Sequence, residues 1–125
     1  MIRKQELFVI WFSLVLSLLI FVSSARAAPF VLGIEDLPLI QGLEQKPNST
    51  VIFDTPEGRV IEAVAAGVIE RAVVVSFYQS TLPQLGWIKQ SEERYWRDGE
   101  SLSLEFISNG KKLEVRFFVR PEMPN

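Results

Sequence analysis

The chain is 125 residues long, 48% hydrophobic, with a net charge of −2 at pH 7 and neither cysteine nor histidine. That length makes one domain, and the missing residue types remove disulfides, the usual zinc ligands, the usual general base near neutral pH and the best side-chain nucleophile. A slightly acidic chain offers no positive footprint for nucleic acid, and a lipoprotein anchor would require a cysteine at its cleavage site.

The first 27 residues read in three parts. Arg3 and Lys4 make a basic start, Leu7 to Val22 is apolar apart from Ser13 and Ser17, and Ser23-Ser24-Ala25-Arg26-Ala27 supplies small residues in an A-x-A arrangement. This is the layout of a cleavable secretory signal peptide. The apolar run would measure about 24 Å as a helix, short of a roughly 30 Å hydrocarbon core, so contact with the membrane is expected to be transient. An uncleaved signal anchor is the alternative. Cleavage after Ala27 would remove Arg3, Lys4, Arg26 and Glu6 and take the net charge from −2 to −4.

Residues 28–49 carry Pro29, Pro38 and Pro47 with Gly33 and Gly42 among scattered apolar side chains. The spacing resists a long helix and predicts an extended N-terminal arm, partly laid on the core. Asn48-Ser49-Thr50 fits a glycosylation triplet but reads first as a turn. Residues 50–54 and 59–68 are predicted strands joined by Thr55-Pro56-Glu57-Gly58, with Pro and Gly where a type I turn takes them. From Arg71 to Leu82 the period changes. Val74, Phe77, Tyr78, Leu82 and Leu85 recur at three and four, which predicts an amphipathic helix ending between Pro83 and Gly86.

Beyond Trp87 the alternation is that of strands. Leu102, Leu104 and Phe106 alternate with polar residues, as do Leu113, Val115 and Phe117, and Asn109-Gly110 marks a hairpin between them. With those two residues as the loop, Phe106 faces Leu113 and Leu104 faces Val115, at the cost of setting Glu105 against Glu114. At Asp98-Gly99 two registers remain open: a two-residue turn pairs Trp96 with Ser101 on the outer face, and a three-residue loop turns Trp96 toward the core. The expected fold is α+β. It has an antiparallel sheet of about five strands in the order β-β-α-β-β-β, one amphipathic helix packed on one face, and residues 50–125 as the domain proper.

Chemical motifs are sparse. Ser108-Asn109-Gly110-Lys111 matches S-x-x-K, but the four residues span a hairpin turn, whereas that chemistry needs a buried serine held against its lysine. Glu35-Asp36 and Glu92-Glu93 are adjacent in sequence, which on a strand sends them to opposite faces. No cofactor or metal is expected. Phe77, Tyr78, Trp87, Phe106 and Phe117 fall on predicted core faces. Phe118 and Ile107 fall on the opposite face beside Arg116, with Trp96 and Arg94 as candidate neighbours. Aromatic residues and arginine together on an exposed sheet face are what protein interfaces are enriched in. Two readings stand: the arm folds over this face, or a partner covers it.

The stretch Val75-Ser76-Phe77-Tyr78 through Leu82-Pro83-Gln84-Leu85-Gly86-Trp87, then Trp96-Arg97 and the closing Val115-Arg116-Phe117 before Pro121, resembles small uncharacterised exported proteins of Gram-negative bacteria. Asp36-Leu37-Pro38-Leu39 and Gly42-Leu43 are similar to the segment that precedes the sheet in them. The resemblance implies a periplasmic setting and carries no chemistry. The function expected is a non-enzymatic periplasmic domain that binds another envelope protein. The alternatives are a small hydrolase working without His or Cys and a signal-anchored accessory subunit of an inner-membrane complex.

Overall fold

The computed structural model describes residues 3–18 and 29–123 of the chain. Helix α1, Lys4–Leu18, falls in the stretch expected to be a signal peptide, and its side chains from Leu7 to Phe12 lie exposed and take no part in the core. Among the described residues no helix is long and apolar enough to cross a membrane. The expected cleavage site after Ala27 lies outside the described residues.

The rest is α+β. Its elements are β1 (Glu44–Gln45), β2 (Val51–Thr55), β3 (Gly58–Gly67), α2 (Arg71–Thr81) with a closing 3-10 turn (Leu82–Leu85), β4 (Ile88–Ser91), β5 (Arg94–Arg97), β6 (Glu100–Asn109) and β7 (Lys112–Pro121). They form one antiparallel sheet in the order β1-β3-β7-β6-β5-β4, and β2 pairs with the first half of β3 on the edge that β1 shares. The sheet therefore has seven strands where the sequence predicts about five. One extra strand is the two-residue β1, drawn from the arm. The other arises because residues 88–97 turn back on themselves at Glu92-Glu93.

Helix α2 leaves β3 and returns at β4 on the far edge, so it must cross β7, β6 and β5. Its end is set as the residues dictate: Pro83 tightens the last turn, and Gly86 closes it at φ 87°, a conformation that costs glycine little.

Two hairpins fix the register of the central strands. At Asp98-Gly99 both residues have positive φ, 47° and 79°, as a two-residue type I′ turn requires, and Trp96 pairs with Ser101 on the outer face. The β6–β7 turn differs from expectation. Asn109 pairs with Lys112, so the loop is Gly110-Lys111, with Gly110 at φ 63° in the first central position of a type II′ turn. A two-residue shift leaves every side chain on its expected face but changes its opposite number. Leu104 faces Phe117, Phe106 faces Val115, and Glu105 faces Arg116, so the expected clash of Glu105 with Glu114 does not occur.

The core lies on one face only. Ile61, Ala63 and Ala65 of β3, Val115, Phe117 and Val119 of β7, Leu102 and Leu104 of β6 and Tyr95 of β5 are buried there against Val74, Tyr78 and Leu82. Residues 29–49 complete it. This segment is not the expected extended arm: Phe30 bridges to Pro38, the Val31 and Leu37 main chains bond at 2.8 Å, and Val31, Ile34, Leu37, Leu39, Ile40 and Leu43 are all buried in the same core. The physical reason is apolar content, since six buried aliphatic side chains have no other surface against which to leave water. Gly42 and Gly67 set how closely the arm meets β3, because a Cβ on Gly67 would fall 1.9 Å from the Gly42 carbonyl oxygen. Arg97 ties the arm's turn to the helix end, donating to Asp36 and to the Leu85 carbonyl, each at 2.9 Å, while stacking on Trp87.

Candidate functional site: the outer face of the sheet

Helix and arm both cover the inner face, so the strand alternation leaves the opposite face without a layer of its own. Of the two readings of this face, the one in which the arm folds over Phe118 is overturned, because the arm's buried apolar side chains lie in the inner core. Reading across the strands, Glu62, Phe118, Ser103 and Arg94 form one row. Val64, Arg116 and Glu105 form the next, followed by Ala66, Glu114 and Ile107. On the other side of the Phe118 row lie Trp96, Ser101 and Arg120. All five residues singled out from the sequence, Phe118, Arg116, Ile107, Trp96 and Arg94, thus share this face.

They do not form one open patch. Beyond β7 the ladder runs one pair further: the Glu122 N–H donates to the Gly99 carbonyl at 2.8 Å, its own carbonyl accepts from the Trp96 indole at 3.1 Å, and its carboxylate accepts from Arg94 at 2.6 Å. Trp96 and Arg94, expected as part of the binding surface, are therefore partnered by the chain's own end. The Ser101 hydroxyl and the Arg94 guanidinium hold the Glu122 carboxyl below its usual range.

Phe118 and Ile107 keep no such partner, and Arg116 pairs with Glu114 of its own strand. Phe118 is half-buried and Ile107 exposed, and Phe118 lies in a depression of about 350 Å³ with Glu62, Ser103, Glu105, Arg116 and Arg120. Its apolar floor is thus ringed by both signs of charge. On the far side of Arg116, Glu114 accepts from Lys46 at 2.6 Å and from Arg116 at 3.3 Å, and both cations keep its carboxyl below the ordinary value, Lys46 the more strongly. Arg120, Ser103 and Glu105 were missed as site residues although alternation from Phe118 and Ile107 places them outward; Glu62 required knowing that β3 lies beside β7.

The other candidates dissolve into structure. Ser108 and Lys111 sit at an exposed hairpin tip. Glu92 and Glu93 are not on opposite strand faces: they make the β4–β5 turn and both accept from Arg71, Glu92 at 3.3 Å. Asn48 has φ 56°, with Ser49 bonded to the Lys46 carbonyl, so the triplet is a turn. A wider hollow of about 630 Å³ lies between the arm's turn and β2, and its cation, Arg59, is already paired with Glu100 at 3.1 Å. Among the described residues no cluster of three or more acidic side chains is placed to hold a metal ion.

Compared with known proteins, the chain matches no family model, no curated protein and no solved structure.

Proposed function

We propose that the protein is exported to the periplasm and works there as a non-enzymatic domain that binds another envelope protein through the outer face of its sheet. The reading rests on one observation. Helix and arm both pack on the inner face, while the outer face presents Phe118 between Arg116 and Arg120, with an exposed Ile107 two rows further along the sheet. An aromatic floor with arginines at its rim is the composition that distinguishes protein interfaces from other surface. The mixed charges around Phe118 suit a protein partner carrying both signs. The leader supplies the setting: a basic start, a short apolar run and small residues before Ala28 are read by the export machinery.

The test is photo-crosslinking in the native envelope, with a photoreactive side chain placed at Ile107 or, as a control, at Ser76 on the solvent side of α2. A discrete adduct from Ile107 that Ser76 does not give supports the outer face. An adduct from Ser76 alone, or from neither position, removes the reading.

A further inference from the structure

We infer that the protein associates with a second copy of itself through the free edge of β2. The two edges of the sheet differ in kind. On the far edge, β4 is guarded by the devices that stop strands from pairing with strangers: it is four residues long, carries Lys89, and breaks register between Lys89 and Ser91. β2, five residues long, lacks the lysine and the register break, and its one charge is Asp54. Its pairing with β3 runs unbroken from Val51 to Thr55, it contains neither lysine nor proline, and Val51, Ile52 and Phe53 are each more than half exposed, at 51, 56 and 52%.

The free edge has a defined set of donors and acceptors. Thr55 and Gly58 close a two-residue hairpin, so they are a hydrogen-bonded pair, and alternation then turns the main-chain groups of Phe53 and Val51 toward β3. Those of Ile52 and Asp54 point away from it. No main-chain bond outside the β2–β3 ladder reaches any residue from Val51 to Thr55.

The sequence of the strand selects its partner. An antiparallel copy related by a two-fold axis at Ile52 sets Ile52 against the partner's Ile52 and Val51 against the partner's Phe53. The central three positions are then all apolar pairs, and the two Ile52 main chains exchange both bonds. Shifting the axis to Phe53 sets Ile52 against Asp54 twice, and shifting it to Asp54 opposes two carboxylates. All three are two-fold registers, as a closed dimer of identical chains requires, and only the first is apolar throughout its centre. Val51 and Phe53 lie on the outer face, since they pair with Glu62 and Val60. The association would therefore join two outer faces into one surface, but it does not depend on what those faces bind.

The absence of cysteine makes the test clean, because any disulfide must come from an introduced thiol. The full chain is expressed with Ile52→Cys, with Ser91→Cys on the guarded edge, or as a mixture of Val51→Cys and Phe53→Cys copies, and then oxidised. Facing Ile52 positions would have Cα atoms about 5.5 Å apart, within disulfide range. Covalent dimer is expected from Ile52→Cys alone and from the mixture, and none from Ser91→Cys. Light scattering of the purified protein should give twice the chain mass, falling to one chain in Ile52→Pro. That change removes an edge donor which β3 does not use. A monomeric parent protein, a dimer that survives Ile52→Pro, or equal crosslinking from Ser91→Cys overturns the inference.

Discussion

The hydroxyl of Tyr78 on α2 donates a hydrogen bond to the Pro38 carbonyl of the arm at 2.9 Å, while its ring meets the edge of Phe117 at 5.6 Å between centroids. One side chain thus joins helix, arm and sheet, and it holds both covering layers on the inner face. Tyr78→Phe keeps the ring and removes the donor, so about 1 kcal/mol of stability should be lost. Denaturant unfolding measures it. An unchanged midpoint would mean that the arm is not held there.

Gly67 makes a sharper demand. An added Cβ would meet main chain, the Gly42 carbonyl at 1.9 Å, and not the flexible end of a side chain. The arm must lift from β3 to admit it. Gly67→Ala should cost about 2 kcal/mol or more. Gly99→Ala meets nothing within 4 Å and bears only the strain of its φ of 79°, about 1 kcal/mol. Thermal unfolding of the two variants side by side should reproduce that order.

The pH dependence follows from which groups titrate. Without histidine or cysteine, little changes protonation near neutrality. Glu114 and Glu122 are held below their ordinary value of 4.5, so their contribution is present above that value and is lost as pH falls through their folded pKa. Burial pushes the Tyr78 and Tyr95 hydroxyls above their ordinary 10.0, so stability declines as pH rises beyond 10, where the unfolded chain ionises first. Denaturation midpoints should therefore hold level from about pH 5.5 to 9 and fall on both sides. A transition near pH 6 to 7 would contradict this assignment.

Much of this fold was legible in the residues, and the gaps have physical causes. Helix α2 and its end at Gly86 were readable because a buried stripe, a proline and a glycine all act locally. The faces of β6 and β7 were readable because alternation survives a two-residue shift. Their pairing was not, since either Asn109-Gly110 or Gly110-Lys111 can close the turn. β4 left no pattern because all four of its residues are exposed, and with no buried face there is no period to detect. The arm's composition announced that it was apolar but not which face of the sheet it would cover. Nothing near Glu122 in sequence foretold that it would meet Trp96 and Arg94.

Export is tested at the N-terminus. Protein recovered outside the cytoplasm should begin at Ala28-Pro29-Phe30, because small residues at positions 25 and 27 are what a signal peptidase accommodates. Full-length chain found in the membrane fraction would mean instead that the leader anchors the domain.

Phe117 and Phe118 are consecutive in β7 and face opposite ways, the first fully buried and the second half-open on the outer face. Replacing each by alanine, and measuring both unfolding and capture of the crosslinked envelope partner, tests most directly whether that face is kept for binding. Phe117→Ala should cost about 3 to 5 kcal/mol, as a core phenylalanine does. Phe118→Ala should cost about 1 kcal/mol or less and abolish the adduct formed from Ile107. A core-sized loss from Phe118→Ala, or an adduct that persists without its ring, would contradict the account.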